Sequence, residues 1–197
     1  MSIIPTLPMP ILIPERFKEP IEIKSKSIQQ WINTGKGKPP LLMGMVGCGK
    51  THLLYSILNK LWEVKRRANR KLWEAAKEFK SPEYEIPRIE LCRSGDMISK
   101  IINGISNNIS QVIVSEFQKI DYLAIDDIGT ERITDWVLEQ YDSVINYRYE
   151  WCKPTLFATN LSLDEMSANI GERLVSRIVE MCQIVELTVG DRRTAKG

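Results

Sequence analysis

The chain has 197 residues, which corresponds to one domain with room for a short appendage. Its composition, 43% hydrophobic and 26% charged, excludes collagen-like, coiled-coil and wholly disordered classes. The 27 basic and 25 acidic residues nearly cancel, so net charge alone gives no argument for a nucleic-acid or membrane partner. The four cysteines lack CxxC spacing and His52 is the single histidine, which argues against a zinc site and against a histidine-based catalytic triad.

Prolines interrupt the apolar N-terminus, and no run of about 18 apolar residues occurs, so we expect neither a signal peptide nor a membrane span. Scattered thiols are typical of a reducing compartment, and we expect a cytoplasmic protein.

Hydrophobic periodicity predicts strands that alternate with helices along the chain. The expected elements are an extended arm over 1–20, a short helix at 27–32, a strand at 39–44, a long helix at 50–79, a strand at 88–92, a helix at 96–105, a loop at 106–110, a strand at 121–125, a helix at 137–149, a strand at 155–159, a helix at 170–181 and a strand at 184–189. Such alternation predicts an α/β fold with a five-stranded parallel sheet flanked by helices. We expect an arm and short helix over 1–35 and the main domain over 36–197.

A glycine-rich motif follows the first predicted strand and leads into the long helix. It matches G-x-x-x-x-G-K-[ST] in full and comprises Gly44, Met45, Val46, Gly47, Cys48, Gly49, Lys50 and Thr51. Glycines allow the backbone N–H groups to turn inward around an anion, and the helix N-terminus adds positive potential. We expect Lys50 to bind the β- and γ-phosphates of a nucleotide and the Thr51 hydroxyl to bind Mg²⁺. The alternative is a plain glycine-rich turn with a chance lysine.

Two aspartates end the strand 121–125. A carboxylate at the carboxyl edge of an open α/β sheet lies where such sheets bind ligands. We expect Asp126 to hold Mg²⁺ and Asp127 to polarise the attacking water. Capping of the next helix is the structural alternative. Because one strand–helix unit separates Lys50 from Asp126, we expect a further strand between theirs, as in hydrolytic P-loop ATPases.

Three further polar residues are candidates for nucleotide sensing. Asn160 ends the strand 155–159, where an amide can contact the γ-phosphate or the water, although asparagine is also an ordinary turn residue. Arg173 and Arg177 lie four residues apart, on one helical face. Arg177 is the candidate arginine finger for a neighbouring subunit, with a solvated basic face as the alternative.

The order of these motifs resembles the DnaC/DnaI/IstB family of AAA+ ATPases, which are helicase loaders and transposition accessory ATPases. The resemblance covers about residues 14–193, and its motifs are Pro14-Glu-Arg-Phe, Thr51-His52-Leu53, Ile125–Glu131, Ile145–Tyr149, Pro154–Leu161 and Gly171–Ile178. It implies an AAA+ P-loop fold without a C-terminal helical lid. It also implies ATP and Mg²⁺ as cofactors, Asn160 as the first sensor and Arg177 as the finger, and it adds His52 and Arg193 to the nucleotide-binding residues.

The resemblance further implies a slow, assembly-dependent ATPase that acts in DNA replication as a helicase loader. The implied partners are a replicative helicase, single-stranded DNA and further copies of the chain in a ring or spiral. Only 43 residues precede Gly44, too few for the separate helicase-gripping domain that loaders usually carry. Two alternatives stay open, an IstB-like transposition ATPase and a nucleotide-switched DNA-binding adaptor with negligible hydrolysis.

Two segments are candidates for binding single-stranded DNA. Residues 52–80 carry eight basic against three acidic side chains, flanked by Trp62 and Trp73. Cations neutralise phosphates and aromatic rings stack on bases, although both tryptophans are equally compatible with a core. The second candidate, implied by the resemblance, follows the second strand and comprises Arg93, Lys100, Asn107 and Asn108.

Overall fold

A computed structural model of the chain describes residues 14–79, 87–130 and 134–188, and for residues 69–79 and Val137 it describes the backbone alone. In these ranges the chain forms a parallel sheet covered by helices on both faces. The strands are β1 (Pro40–Met43), β2 (Ile89–Arg93), β3 (Tyr122–Asp126), β4 (Thr155–Thr159) and β5 (Gln183–Glu186). A 3₁₀ turn spans Glu15–Phe17, and the helices are α1 (Lys26–Thr34), α2 (Lys50–Phe79), α3 (Ser94–Asn103), α4 (Ser110–Lys119), α5 (Asp135–Glu150), α6 (Leu163–Ile170) and α7 (Glu172–Met181).

The strand order is β2-β3-β4-β1-β5, and every neighbouring pair is parallel. Successive side chains of a strand point to opposite faces, so the apolar runs of β1, β3 and β4 supply two cores. Leu42, Ala124 and Leu156 pack with α1 and α2. The other face packs with α3 to α7 through Leu41, Phe157 and their neighbours. The α/β P-loop fold expected from the sequence, with its five-stranded parallel sheet, is confirmed.

Two helices were missed by periodicity. Residues 110–119 form α4. Its buried apolar residues are only Val114 and Phe117, too few to give a clear helical period in the sequence. The helix expected over 170–181 is found as α7, and residues 163–170, where no element was expected, form a separate helix, α6, which Gly171 (φ 87°) divides from α7. Ser162 begins α6 with a reciprocal capping box to Glu165, a start signal that the sequence contains.

An arginine lies inside the second core, the one between the sheet and helices α3 to α7. Arg148 of α5 is 0% exposed, and burial lowers its pKa to about 10, so it is charged at neutral pH. Its guanidinium donates five hydrogen bonds, to the Thr155 hydroxyl and to the backbone carbonyls of Phe117, Gln118, Ile120 and Pro154. These bonds connect the end of α4, the approach to β3 and the start of β4.

Among the described residues, no helix combines the length and the apolar character that crossing a membrane requires.

Candidate nucleotide-binding site

Three neighbouring strands bring the predicted site residues to one edge of the sheet. Met43 of β1 pairs with Thr159 of β4, and Ile125 of β3 pairs with Phe157 of β4. Gly44, Asp126 and Asn160 therefore leave the sheet side by side. The strand expected between those of Lys50 and Asp126 is β4.

The glycine-rich loop wraps around the ammonium group of Lys50. Gly47 (φ 85°) and Gly49 (φ 101°) adopt positive-φ backbone conformations, which are disfavoured for residues with a side chain and are open to glycine. Lys50 is 6% exposed, and its Nζ donates to the carbonyls of Gly44 (2.7 Å) and Met45 (2.9 Å). The loop thus holds a positive charge at its centre, as phosphate binding requires.

Gly44 is the position where the loop tolerates no side chain. A Cβ there would lie 2.6 Å from the backbone carbonyl oxygen of Leu187, just beyond β5. The amide of Leu187 donates to the carbonyl of Met43 at 2.7 Å, which fixes that oxygen in place. The first glycine of the motif is therefore required by packing against Leu187, the residue that follows β5.

Thr51 and Asp126 form the strongest link between the two predicted motifs. The Thr51 hydroxyl donates to Asp126 Oδ2 at 2.7 Å, although 75 residues separate them. Asp126 is 1% exposed, and burial raises the pKa of its carboxyl group, opposed by the Thr51 hydrogen bond. A hydroxyl and a carboxylate are the hard oxygen donors that Mg²⁺ prefers, and phosphate oxygens and water usually complete its shell. This pair therefore fits a magnesium ion bound together with a nucleotide.

Asp127 has a backbone conformation that is uncommon for a residue with a side chain. Its φ is 56°, in the left-handed region where aspartate and asparagine are among the better tolerated residues. Its amide donates to Asp126 Oδ1 at 3.1 Å, and its carbonyl accepts from the Thr130 hydroxyl at 2.9 Å. The half-buried side chain thus starts from a turn held on both sides.

Thr159, at the end of β4, connects the three loops of the site. Its carbonyl accepts from the amide of Gly44 at 3.3 Å, and its hydroxyl donates to the carbonyl of Ile128 at 2.9 Å. The same hydroxyl accepts from the amide of Leu161 at 3.2 Å. Asn160 is half-buried between these contacts, in the position expected for a sensor, where its role stays a prediction.

The two arginines of α7 lie together against α5. Arg177 Nη1 donates to Asp142 Oδ1 at 3.1 Å, and Arg173 Nη2 donates to Asp142 Oδ2 at 3.0 Å. The Arg177 guanidinium also lies over the ring of Tyr149, 5.9 Å from its centre. Sequence reasoning found both arginines and missed Asp142, because an acidic residue on a helix gives no local signal of its partner.

His52 faces the N-terminal segment. Its Nε2 lies 2.6 Å from the carbonyl oxygen of Glu19. Its ring forms a T-shaped pair with the ring of Phe17, with 5.5 Å between the ring centres. Phe17 also stacks on Tyr55, and the amide of Ile21 donates to the Ser56 hydroxyl at 3.0 Å. The arm is therefore docked on the first turns of α2, next to the phosphate loop. Arg193, also expected near the nucleotide, lies outside the described residues.

Two cations of the basic segment in α2 lie over aromatic rings of the chain, and one of these rings is Trp62 of the segment itself. Arg66 lies over Trp62, with 4.8 Å from its guanidinium carbon to the ring centre, and Lys65 lies over Tyr122 at 5.3 Å. The side chains of Arg70, Lys71 and Trp73 lie outside those described. DNA binding by this segment stays a prediction.

Comparison with known proteins finds relatives among replication factors. The chain is 34% identical to the Bacillus subtilis protein YqaM over 157 residues, which is 77% of this chain and 43% of YqaM. It is 27% identical to the B. subtilis replicative helicase loader DnaI over 179 residues, covering 84% of this chain and 51% of DnaI. The chain thus spans about half the length of these curated relatives. A scan against protein-family models gives no match.

Solved structures of helicase loaders share the fold. The crystal structure of the DnaC helicase loader matches with a TM-score of 0.68 at 22% identity, covering 89% of this chain and all of that one. The crystal structure of DnaI matches with a TM-score of 0.65 at 17% identity, covering 93% and 95%. DnaA bound to AMPPCP and single-stranded DNA matches with a TM-score of 0.62 at 19% identity, covering 83% and 44%.

Proposed function

We propose that this chain, which belongs to the DnaC/DnaI-type family of AAA+ proteins, binds ATP with Mg²⁺ and hydrolyses it between assembled subunits to load a replicative helicase on DNA. The observation that carries the proposal is the hydrogen bond of Thr51 to Asp126 beside a loop centred on Lys50. Nucleotide binding is also supported by the AMPPCP-bound state of DnaA, which shares the fold. The loader role is supported by the similarity to DnaI and DnaC.

In the proposed reaction, the loop amides and Lys50 bind the phosphates, and Thr51 and Asp126 would hold Mg²⁺, which when bound would neutralise phosphate charge. Asp127 orients a water molecule toward the γ-phosphorus and takes up its proton. The water oxygen forms a bond to the γ-phosphorus, and the bond from that phosphorus to the oxygen shared with the β-phosphate breaks, which gives ADP and phosphate. Asn160 contacts the γ-phosphate or the water. Arg177 of a neighbouring subunit stabilises the charge that develops on the transferred group.

The nucleotide part of the proposal is tested with Lys50→Ala and Asp127→Asn. Lys50→Ala should lose binding of a fluorescent ATP analogue, because a charge-assisted phosphate contact contributes about 1.5–3 kcal/mol. Asp127→Asn should bind the analogue normally and turn over ATP more slowly, because asparagine keeps the shape and lacks the proton acceptor. Tight binding by Lys50→Ala would refute the phosphate-loop assignment. Undetectable hydrolysis by the unmodified chain, with intact binding, would favour the nucleotide-switched adaptor.

The assembly part is tested with Arg177→Ala. Turnover per subunit should rise with protein concentration, and the variant should lose about 10³-fold or more in turnover while a single subunit binds nucleotide normally. Mixing Arg177→Ala with Asp127→Asn subunits should restore part of the activity, since one keeps the pocket and the other keeps the finger. Turnover that is independent of concentration, without restoration, would assign Arg177 to the surface.

The loader part needs the helicase itself. The chain should co-purify with the replicative helicase hexamer of its host and should increase the amount of helicase retained on single-stranded DNA in the presence of ATP. Capture of a transposase in place of the helicase would support the transposition alternative.

A further inference from the structure

We infer that Asp142 is a positioning residue for the arginine finger, an inference that rests on the proposed role of Arg177. The single carboxylate of Asp142 accepts from both arginines of α7, one on each oxygen, at 3.1 Å from Arg177 and 3.0 Å from Arg173. Two cations one helical turn apart repel each other, and a shared carboxylate between them allows both to stay on one face.

The guanidinium of Arg177 is restrained from a second direction by the same helix. It lies over the ring of Tyr149, which also belongs to α5. The Tyr149 hydroxyl in turn donates a hydrogen bond to Glu180 at 2.7 Å. The side chains of Arg177 and Asp142 are 21% and 28% exposed, whereas that of Arg173 is 70% exposed. Asp142 and Tyr149 therefore hold Arg177 in one place at the protein surface, and Arg173 extends from the same carboxylate into solvent.

A role in placing the Arg177 guanidinium explains this arrangement better than a contribution to the stability of the fold does. Ion pairs with partly exposed partners contribute little to folding. An arginine that acts on a neighbouring subunit, by contrast, depends on placement, since a displacement of about 1 Å can lower a rate about 100-fold. The guanidinium has five N–H donors, and the bond from Nη1 to Asp142 leaves the group with enough donors to bind a phosphate as well.

The connection also runs back to the nucleotide site of the same subunit. Helix α5 begins at Asp135, eight residues after Asp127, and it packs against α7 through the core that contains Val144 and Ile178. The finger is thus held by the helix that follows the catalytic loop.

The test places the substitution in only one member of a mixed assembly. Receiver subunits carry Arg177→Ala and supply the pocket, and donor subunits carry Asp127→Asn and supply the finger. Asp142→Asn in the donor should lower the kcat of the mixture about 10- to 100-fold with little change in the KM for ATP. The same substitution in the receiver, which has no finger, should leave the mixture's kcat within about twofold of its starting value. Glu139→Gln, on the exposed side of α5, is the matched control in the donor.

The outcomes separate this inference from the proposed function. An equal loss from donor and receiver would mean that Asp142 acts on the fold, and an unchanged or raised kcat with the altered donor would overturn positioning directly. If the starting mixture has no activity, the finger does not act between subunits. In that case the proposed function fails at the assembly step, and the inference falls with it.

Discussion

Replacing Arg148 with lysine tests the view that this buried arginine holds the second core together. Lysine keeps the charge and most of the length, but its ammonium has three N–H groups in place of the planar fork. Arg148 makes five hydrogen bonds, four of them to backbone carbonyls that belong to three different segments. At least two acceptors must therefore lose their donor in the variant.

The cost follows from those lost bonds. A hydrogen bond to a charged group contributes about 1.5–3 kcal/mol, and a buried carbonyl without a partner is costly in its own right. Two lost bonds, partly offset by local relaxation, lower the free energy of unfolding by about 3–5 kcal/mol. The loss is large against the total stability of an ordinary domain, about 5–15 kcal/mol.

Urea unfolding followed by circular dichroism measures this loss. With an m-value of about 2–3 kcal/mol/M, the midpoint should fall by about 1–2.5 M. Arg88→Lys is the matched control, since Arg88 pairs with Glu90 at the surface and its side chain is 51% exposed. The control should change the free energy of unfolding by less than about 1 kcal/mol. A similarly small change for Arg148→Lys would refute the reasoning.

Three further predictions concern the nucleotide site. Because burial raises the pKa of Asp126, its protonated carboxyl group contributes stability that is fully present below the ordinary pKa of 3.8 and is lost as pH rises through the raised value. Asp126→Asn should therefore have the higher Tm at pH 7 without Mg²⁺ or nucleotide, with the difference shrinking toward pH 3. Gly44→Ala should abolish binding of the fluorescent ATP analogue and lower Tm, because the new Cβ meets the Leu187 carbonyl at 2.6 Å. Phe17→Ala should speed amide hydrogen exchange at Ile21, since ring pairs contribute about 0.5–1.5 kcal/mol each to arm docking.

Each of these has its own contrary result. A Tm for Asp126→Asn below that of the unmodified chain at pH 7 would mean that the charged carboxylate stabilises the fold. Gly37→Ala is the control for Gly44→Ala, because both glycines have a positive φ (97° at Gly37, 156° at Gly44) and a Cβ at Gly37 meets nothing within 4 Å. Equal losses of analogue binding and Tm in Gly44→Ala and Gly37→Ala would mean that the positive φ, and not the contact with Leu187, causes the effect. Unchanged exchange at Ile21 would mean that the arm is held without Phe17.

The phosphate loop could be predicted from the sequence because its chemistry is local. Eight consecutive residues specify the turn and the lysine, and the apolar run before Asp126 places that carboxylate at a strand end. The roles of Arg148 and Asp142 could not be predicted in this way. Arg148 binds carbonyls that are 6 to 31 residues away in the chain, and Asp142 pairs across 31 and 35 residues. Nothing in the neighbouring sequence of either residue encodes those partners.

The missed helix α4 has a related physical origin. Its sequence, Ser110–Lys119, presents Val114 and Phe117 to the core, while the exposed Val112 weakens the periodic pattern. The helix is stabilised by packing on α3 and α5 and by the bonds from Arg148 to its last carbonyls. Tertiary contacts of this kind outweigh a weak local preference.

The hydrogen bonds of Thr159 make the three loops of the site one mechanical unit. Its backbone accepts from the loop after β1, and its hydroxyl bridges the loop after β3 to the chain after β4. A shift of any one of the three loops therefore stretches a hydrogen bond to another. Opening of the site should therefore be cooperative, so the amides of Gly44, Ile128 and Leu161 exchange with solvent at a common rate. Thr159→Val, which removes the hydroxyl and preserves the shape, should speed exchange of the Leu161 amide relative to the amides of Gly44 and Ile128, whose bonds to the carbonyls of Thr159 and Ala158 remain.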